Sequence, residues 1–137
     1  MKDYCSEAGR KMKRAVLCPA RVPRGISPTE NLEGFRPTSR GYVFEAEAEQ
    51  HWVFVASPFD LEGNYGRMRF LGSVEVRGRT GRWLFAPPTG GIHAHHLVLT
   101  WRERGLHYAV SVHTPTHATE PFRNDVLRVA EGMRLYR

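Results

Sequence analysis

The sequence is poor in lysine, in cysteine and in long apolar runs, and each shortage excludes something. Lys2, Lys11 and Lys13 are the only lysines, so the net charge of +6 depends on arginine. No apolar stretch approaches the roughly 20 residues that cross a bilayer, and the opening MKDYCSEAGRKMKRAV lacks the apolar core of a signal peptide. We therefore expect no transmembrane segment in these residues, whereas an export signal removed earlier would leave no trace in them.

Familiar catalytic motifs are missing as well. There is no GxSxG elbow, and the glycines of GNYGRMRFLG and GRTG lack the spacing of a phosphate-binding loop. Ser111 and His113 lie two residues apart on one predicted strand, so their Cα atoms stand about 6.5 to 7 Å apart. No acidic residue is predicted nearby to orient the histidine. We therefore assign no catalytic residue and no cofactor, and we do not expect an enzyme.

The excess of arginine favours acidic partners, which include nucleic acid, anionic lipid and anionic wall polymers. The densest basic patch is RGRTGRW, with Arg77, Arg79 and Arg82, and such a patch is typical of a solvated hairpin tip. No recognised RNA- or DNA-binding motif accompanies the charge. A nucleic-acid-binding protein therefore remains an alternative interpretation and not the leading one.

The length of 137 residues fits one domain of ordinary size, so we expect a single domain over residues 1–137. Residues 1–40 are expected to form a short helix and an extended entry segment. Ser6 is a suitable cap for that helix, and the proline-rich segment after it predicts an irregular connection. Residues 41–137 are expected to form a sheet and a C-terminal helix, with regular structure resuming near Gly41.

Period-two alternation of apolar and polar residues predicts a series of strands after Gly41. In YVFEAEAEQ the aromatic residues and alanines alternate mostly with glutamates, which is typical of a half-buried strand. In HWVFVAS the run of large residues predicts a strand buried on both faces. Further strands are expected in RMRFLGSVEVRG, in RWLFAP and in a long hairpin between residues 96 and 113.

Apolar residues at helical spacing predict a C-terminal helix that extends to about Tyr136, with Asn124 or Asp125 as its cap. We expect this helix to pack on the sheet face that bears Trp101 and Tyr108, because both apolar surfaces must be covered. The expected fold class is α+β, an antiparallel curved sheet of about five to six strands covered on one face by the C-terminal helix. The apolar stripe of the helix consists of Val126, Val129, Ala130 and Met133.

Six of the seven histidines lie between residues 93 and 117, in and around the long hairpin. If the apolar residues of both strands face one core, the loop must contain an even number of residues, most simply Arg104 and Gly105. Trp101 then lies opposite Tyr108. On the other face His96 lies opposite His113, with Cβ atoms about 4.5 to 5.5 Å apart.

Two opposed histidines are only half of a metal site. A catalytic zinc needs a third protein ligand, which would have to be His93, His117 or an acidic residue on a loop. The spacing matches no known zinc signature. We therefore expect the His96 and His113 side chains to be polar residues on a solvated sheet face without a metal. A metal-dependent enzyme that uses the face of these two histidines is kept as a second alternative.

The segment LTWRERGLHYAV followed by DVLRVAEGM resembles the end of a domain of unknown function in exported bacterial proteins. Those domains are related to the half-barrel of the outer-membrane lipoprotein carriers and the periplasmic sigma-regulator proteins. The resemblance covers about the last forty residues and implies a binding or sensor module without catalytic residues. It also implies a location outside the cytoplasm, secreted or membrane-anchored, with a cytoplasmic location as the alternative. The expected partner is an apolar or anionic ligand, or another envelope protein. The matching residues are Thr100, Trp101, Gly105, Tyr108 and Ala130, and Gly132 stands where the family usually has a small polar residue.

Cys5 and Cys18 are the only cysteines, and an even number in a chain that resembles exported proteins favours a disulfide over two free thiols. A continuous helix over residues 6–16 would separate its ends by about 16 Å, far more than the roughly 4.4 to 6.8 Å that a bridge allows. The bridge therefore requires a helix that ends near Met12 or Lys13, so that the chain can run back along it.

Overall fold

The computed structural model describes residues 2–20, 32–47, 50–61, 68–86, 95–115 and 118–137. Within these ranges the chain forms two helices and nine strands. The helices are α1 (Lys2–Met12) and α2 (Glu120–Glu131). The strands are β1 (Val16–Cys18), β2 (Leu32–Pro37), β3 (Tyr42–Glu47), β4 (His51–Ser57), β5 (Arg69–Val76), β6 (Arg79–Ala86), β7 (His96–Glu103), β8 (Leu106–His113) and β9 (Arg134–Tyr136).

Seven of the strands form one antiparallel sheet in the order β2-β3-β4-β8-β7-β6-β5. The pairing of β4 with β8 joins two groups of sequential neighbours, and β1 and β9 form a separate two-stranded sheet. The α+β class with an antiparallel sheet is confirmed, but the sheet has more strands than expected. The additional strand is β2, which the sequence analysis assigned to an irregular connection.

After α1 and β1, regular structure resumes at Leu32. The predicted start of the sheet near Gly41 is therefore wrong. The proline-rich composition was misleading because β2 is the outermost strand of the sheet, and an edge strand tolerates proline. Pro37 is the last residue of β2, and the register of its pairing shifts between Leu32 and Gly34. Strand β2 therefore contains an irregularity and ends in a proline, but it still pairs with β3 along its length.

The register predicted for the long hairpin is confirmed. His96 pairs with His113 and Trp101 pairs with Tyr108, and the two-residue turn consists of Arg104 and Gly105. Both turn residues have positive φ, 52° for Arg104 and 75° for Gly105, as a tight hairpin turn of the twisted type requires. Hydrophobic patterning and an even loop were sufficient to fix this part of the structure.

The C-terminal helix packs where it was expected but has different ends. It begins after Thr119 with Pro121 in its first turn, and it ends before Gly132. Proline fits the first turn of a helix because the amide it lacks would have no helical partner there. Val126 and Ala130 are fully buried in the same core as Trp101 and Tyr108. The packing prediction is confirmed, whereas the caps Asn124 and Asp125 and the end near Tyr136 are wrong.

The hairpin tip that carries Arg77 is not simply solvated. The Arg77 guanidinium donates hydrogen bonds to the carbonyls of Glu131 and Met133, both at 2.9 Å, and it forms an ion pair with Glu103 at 3.0 Å. These carbonyls lie at the C-terminal end of α2, where the helix leaves acceptors without helical partners. Arg77 therefore caps the helix from a neighbouring hairpin, while Arg79 and Arg82 are exposed as expected.

Helix α1 ends at Met12, and Lys13 then adopts a left-handed backbone conformation with φ of 51°. The chain turns back into β1, which places Cys5 and Cys18 at disulfide-bonding distance with Cα atoms 5.9 Å apart. Ser6 lies inside the helix and is not its cap. Gly9 has a packing role, because a Cβ atom there would lie 2.9 Å from main-chain carbons of Arg137.

Strand β1 lies against the main sheet and is held by two tyrosine hydroxyls. The Tyr42 hydroxyl donates to the carbonyl of Leu17 at 2.6 Å, and the Tyr108 hydroxyl accepts from the Leu17 amide at 3.2 Å. Burial raises the pKa of Tyr42 well above its usual value, with a smaller contribution from the neighbouring Tyr108. Burial also raises the pKa of Tyr108, although its hydrogen bond with Leu17 acts in the opposite direction. One face of the sheet is therefore closed by β1 together with α1 and α2.

In the part of the chain that the structure describes, no helix is both long and apolar enough to span a membrane.

Candidate functional site

A basic cleft of about 650 Å³ lies where the C-terminal end of α1 meets the turn between β7 and β8. It is formed by three parts of the chain that are distant in sequence: the first helix and the turn after it, the hairpin turn and the last residue. Its lining residues are Gly9, Arg10, Lys13, Arg14, Ala15, Arg104 and Arg137.

Local backbone geometry shapes this cleft. Lys13 directly follows α1, and Arg104 is the first residue of the hairpin turn. Both residues have a left-handed backbone conformation. The Arg14 guanidinium donates a hydrogen bond to the carbonyl of Arg104, which ties the segment after α1 to the hairpin turn. The close approach of Gly9 to Arg137 brings the end of the chain to the same place. Contacts with the backbone therefore position Arg14, Arg104 and Arg137.

The charged side chains of the cleft are all of one sign. Five basic side chains line it, and all five residues are exposed to solvent. Among the described residues that line it, none is acidic. Guanidinium groups present planar sets of donors that match the oxygens of carboxylates, phosphates and sulfates. An anion bound here would relieve the mutual repulsion of these cations and would accept several charged hydrogen bonds.

The two histidines that the sequence singled out are paired as expected, but one of them is buried. His96 and His113 are register partners with ring centroids 5.4 Å apart. His96 is only 1 % exposed, so the prediction of a solvated sheet face is wrong at this position. The same face also carries a second apolar cluster, which consists of Val53, Val55, Leu61, Leu84, Val98 and Ala109. His93 and His117, the other two metal candidates, lie outside the described residues.

The sequence analysis missed His51. Trp52 pairs with Val112, so the next residues outward on the two strands are His51 and His113. The ring of His51 lies 5.4 Å from that of His96, centroid to centroid. Nothing in the sequence signalled this neighbour, because the pairing of β4 with β8 joins residues 50 to 60 positions apart.

Neither metal binding nor nucleophilic chemistry is supported by this cluster. Across the described ranges, no group of three or more histidine, cysteine, aspartate or glutamate side chains is placed to hold a metal ion. The Ser111 hydroxyl lies 2.8 Å from Nδ1 of His96 on the neighbouring strand. Ser111 is only 1 % exposed, which leaves a substrate little access to its hydroxyl.

Comparison with known proteins does not choose between the cleft and the histidines. No protein family, curated protein or solved structure matches this chain. The geometry favours the cleft as the candidate functional site. A ligand can reach its exposed cations directly, whereas the histidine cluster includes a buried ring at its centre.

Proposed function

We propose that this chain is a non-catalytic binding or sensor module that works outside the cytoplasm and holds an anionic ligand in the basic cleft. The observation that carries the proposal is the uniform positive charge of the side chains at the cleft, with five exposed basic residues and no acidic side chain among the described residues that line it. Its volume of about 650 Å³ falls within the range of small-molecule sites. The ligand is expected to carry phosphate, sulfate or carboxylate groups.

The cysteine pair supports a location outside the cytoplasm. Disulfides persist mainly in oxidising compartments, and Cys5 and Cys18 lie at bonding distance. Arg10, Lys13 and Arg14 all lie within the loop that this pair would close. A closed loop would hold these three cations close to their binding positions, and a preorganised site loses less entropy when it binds.

An apolar ligand on the concave face of the sheet has less support than an anionic ligand in the cleft. The face that bears Trp101 and Tyr108 is filled by side chains of α1, β1 and α2, including Val126 and Ala130. The resemblance to the lipoprotein-carrier half-barrel therefore contributes the general role of a binding module to our proposal, and not a ligand position.

The proposal is tested by calorimetric titration with tripolyphosphate as an anionic probe. We expect the double variant Arg10→Ala/Arg104→Ala to weaken binding by more than about tenfold, because hydrogen bonds to charged groups contribute about 1.5 to 3 kcal/mol each. The matched control is Arg79→Ala/Arg134→Ala, which removes the same charge from exposed positions outside the cleft. Equal weakening by both variants would show that only the overall charge matters, and would overturn the proposal.

A second titration separates the anionic ligand from nucleic acid. Binding of duplex DNA by counterion release falls steeply as salt rises. We expect DNA to bind weakly near physiological salt and to compete poorly with tripolyphosphate. Tight DNA binding that persists in the variant Arg10→Ala/Arg104→Ala would favour the nucleic-acid-binding alternative and would count against the cleft.

A further inference from the structure

Helix α1 positions the cations on one side of the basic cleft, although it buries few large side chains. Arg10 lies in the last turn of α1 and lines the cleft. Among the side chains of α1 that the structure describes, the buried ones are Cys5, Ala8 and Met12. Small side chains bury little apolar surface, so they contribute little to holding a helix in place. The position of Arg10 therefore depends strongly on whatever else fastens α1.

The cysteine pair fastens α1 to β1. The Cα atoms of Cys5 in α1 and Cys18 in β1 are 5.9 Å apart, within the range of about 4.4 to 6.8 Å that a disulfide requires. Leu17, the neighbour of Cys18, is held to the main sheet by the hydroxyls of Tyr42 and Tyr108, at 2.6 and 3.2 Å. A bridge between the two cysteines therefore ties α1 to a strand that is itself fixed.

The segment between the two cysteines carries three cations of the cleft under strain. Lys13 has a left-handed backbone with φ of 51°, which is costly for a residue with a side chain. Arg10, Lys13 and Arg14 all line the cleft, and like charges repel one another. If α1 separated from β1, the strain at Lys13 would be released and the three cations could move apart. The closed arrangement therefore needs a fastening that offsets both costs.

We propose that the anion site depends on oxidation, so that the Cys5–Cys18 bridge must form before the cleft binds its ligand with full affinity. Formation of the bridge removes two protons and two electrons from the two thiols, and a disulfide oxidant such as oxidised glutathione takes them up as two thiols. Without the bridge, α1 separates from β1 for part of the time, and the cations of α1 leave the cleft. The site becomes active when the chain reaches an oxidising compartment. This inference rests on the proposed function, because it concerns the regulation of the same site.

Anion binding and reduction of the bridge are then coupled in both directions. Cys5 is fully buried and Cys18 is 1 % exposed, so a thiol reductant reaches their sulfur atoms when α1 moves away from β1. An anion that contacts both Arg10 and Arg104 links α1 to the β7–β8 turn and keeps the helix in place. A bound anion should therefore slow the reduction of the bridge.

The test is a calorimetric titration of the full chain with tripolyphosphate, before and after reduction with dithiothreitol. We expect reduction to weaken binding by more than about tenfold. Saturating tripolyphosphate should slow the release of free thiols by dithiothreitol by more than about fivefold. The variant Cys5→Ala/Cys18→Ala should bind as weakly as the reduced wild type, and dithiothreitol should not change its affinity. An effect of dithiothreitol on this variant equal to that on wild type would overturn the proposal.

Hydrogen exchange locates the change within the fold. The amide of Arg14 donates to the carbonyl of Gly9 at 3.2 Å, and its protection should fall by more than about tenfold on reduction. The matched reference is the amide of Gly132, which donates to the carbonyl of Arg128 at 3.1 Å at the end of α2 and should change little. An equal loss of protection at both amides would mean that the whole chain unfolds, and would overturn the proposal.

The titration also separates this inference from the proposed function. If the oxidised protein binds tripolyphosphate and the folded, reduced protein binds it equally well, the dependence on oxidation is wrong and the anion site stands. If the oxidised protein does not bind the probe, the anion site itself is wrong and its regulation fails with it.

Discussion

The hydroxyl of Tyr42 makes the most sharply testable contribution to the fold. It donates to the carbonyl of Leu17 at 2.6 Å, Tyr42 is 2 % exposed and Leu17 is fully buried. The variant Tyr42→Phe would keep the ring but leave this carbonyl without its donor in the core. An unsatisfied buried polar group costs about 1 to 3 kcal/mol, so we expect the free energy of unfolding to fall by about 2 kcal/mol at pH 7.

The same hydroxyl predicts a pH dependence. The pKa of Tyr42 is raised well above 10.0 by burial, and that of Tyr108 is raised from the same value. Above pH 10 the unfolded chain therefore loses these protons while the folded chain retains them. The stability is fully present below pH 10 and is lost as the pH rises further. The loss amounts to about 1.4 kcal/mol per pH unit for each tyrosine until its folded-state pKa is reached.

Urea denaturation of wild type and Tyr42→Phe at pH 9 and pH 11 measures both effects. The variant should lose less stability than wild type between these two pH values, because it lacks one of the two buried hydroxyls. Tyr136→Phe is the control, since Tyr136 is half-buried in β9 and should behave as wild type in this comparison. A loss below about 0.5 kcal/mol for Tyr42→Phe at pH 7, or an equal alkaline loss in both proteins, would refute the reasoning.

Three further predictions concern the core, the cysteines and the metal alternative. Val126→Asp buries an unpaired charge and should lower stability by more than about 3 kcal/mol in urea denaturation, whereas Leu135→Asp at an exposed position should change it little. Cys5 and Cys18 should give no free thiols when protein from an oxidising compartment is titrated under denaturing, non-reducing conditions, and two reactive thiols would contradict the bridge. The His96 face should retain no zinc after chelator dialysis, and this prediction fails if stoichiometric zinc persists and is lost in His113→Ala.

Short-range patterns predicted several features because one local constraint decided each of them. The apolar residues on both sides of Arg104 and Gly105 allow only a register that pairs Trp101 with Tyr108, and that register is present. Likewise, the reach of a disulfide between Cys5 and Cys18 required a short helix and a chain that turns back, which is what α1 and β1 do. In both cases the geometry follows from fewer than twenty consecutive residues.

Features that depend on distant parts of the chain could not be predicted in this way. The pairing of β4 with β8 brings His51 to His96, and His96 is buried although the alternation of residues marked its face as polar. The basic cleft combines Arg14 with Arg104, and their contact joins residues 90 positions apart. Arginines scattered along a sequence have no periodicity that would indicate a contact between distant residues. The positive charge was visible in the composition, but its concentration at one site was not.

The β7–β8 hairpin therefore has two different environments at its two ends. At the turn, exposed cations surround open space, so their repulsion is reduced when an anion binds. At the other end, the rings of His51 and His113 pack around the buried His96. The strands between the ends have well-packed centres, with Leu99 and Val110 fully buried. Because packed strands resist local opening, the two ends can respond separately. Tripolyphosphate should then bind at pH 7.5 with the same affinity in wild type and in His113→Gln, and a weaker affinity in that variant would show that the ends are coupled.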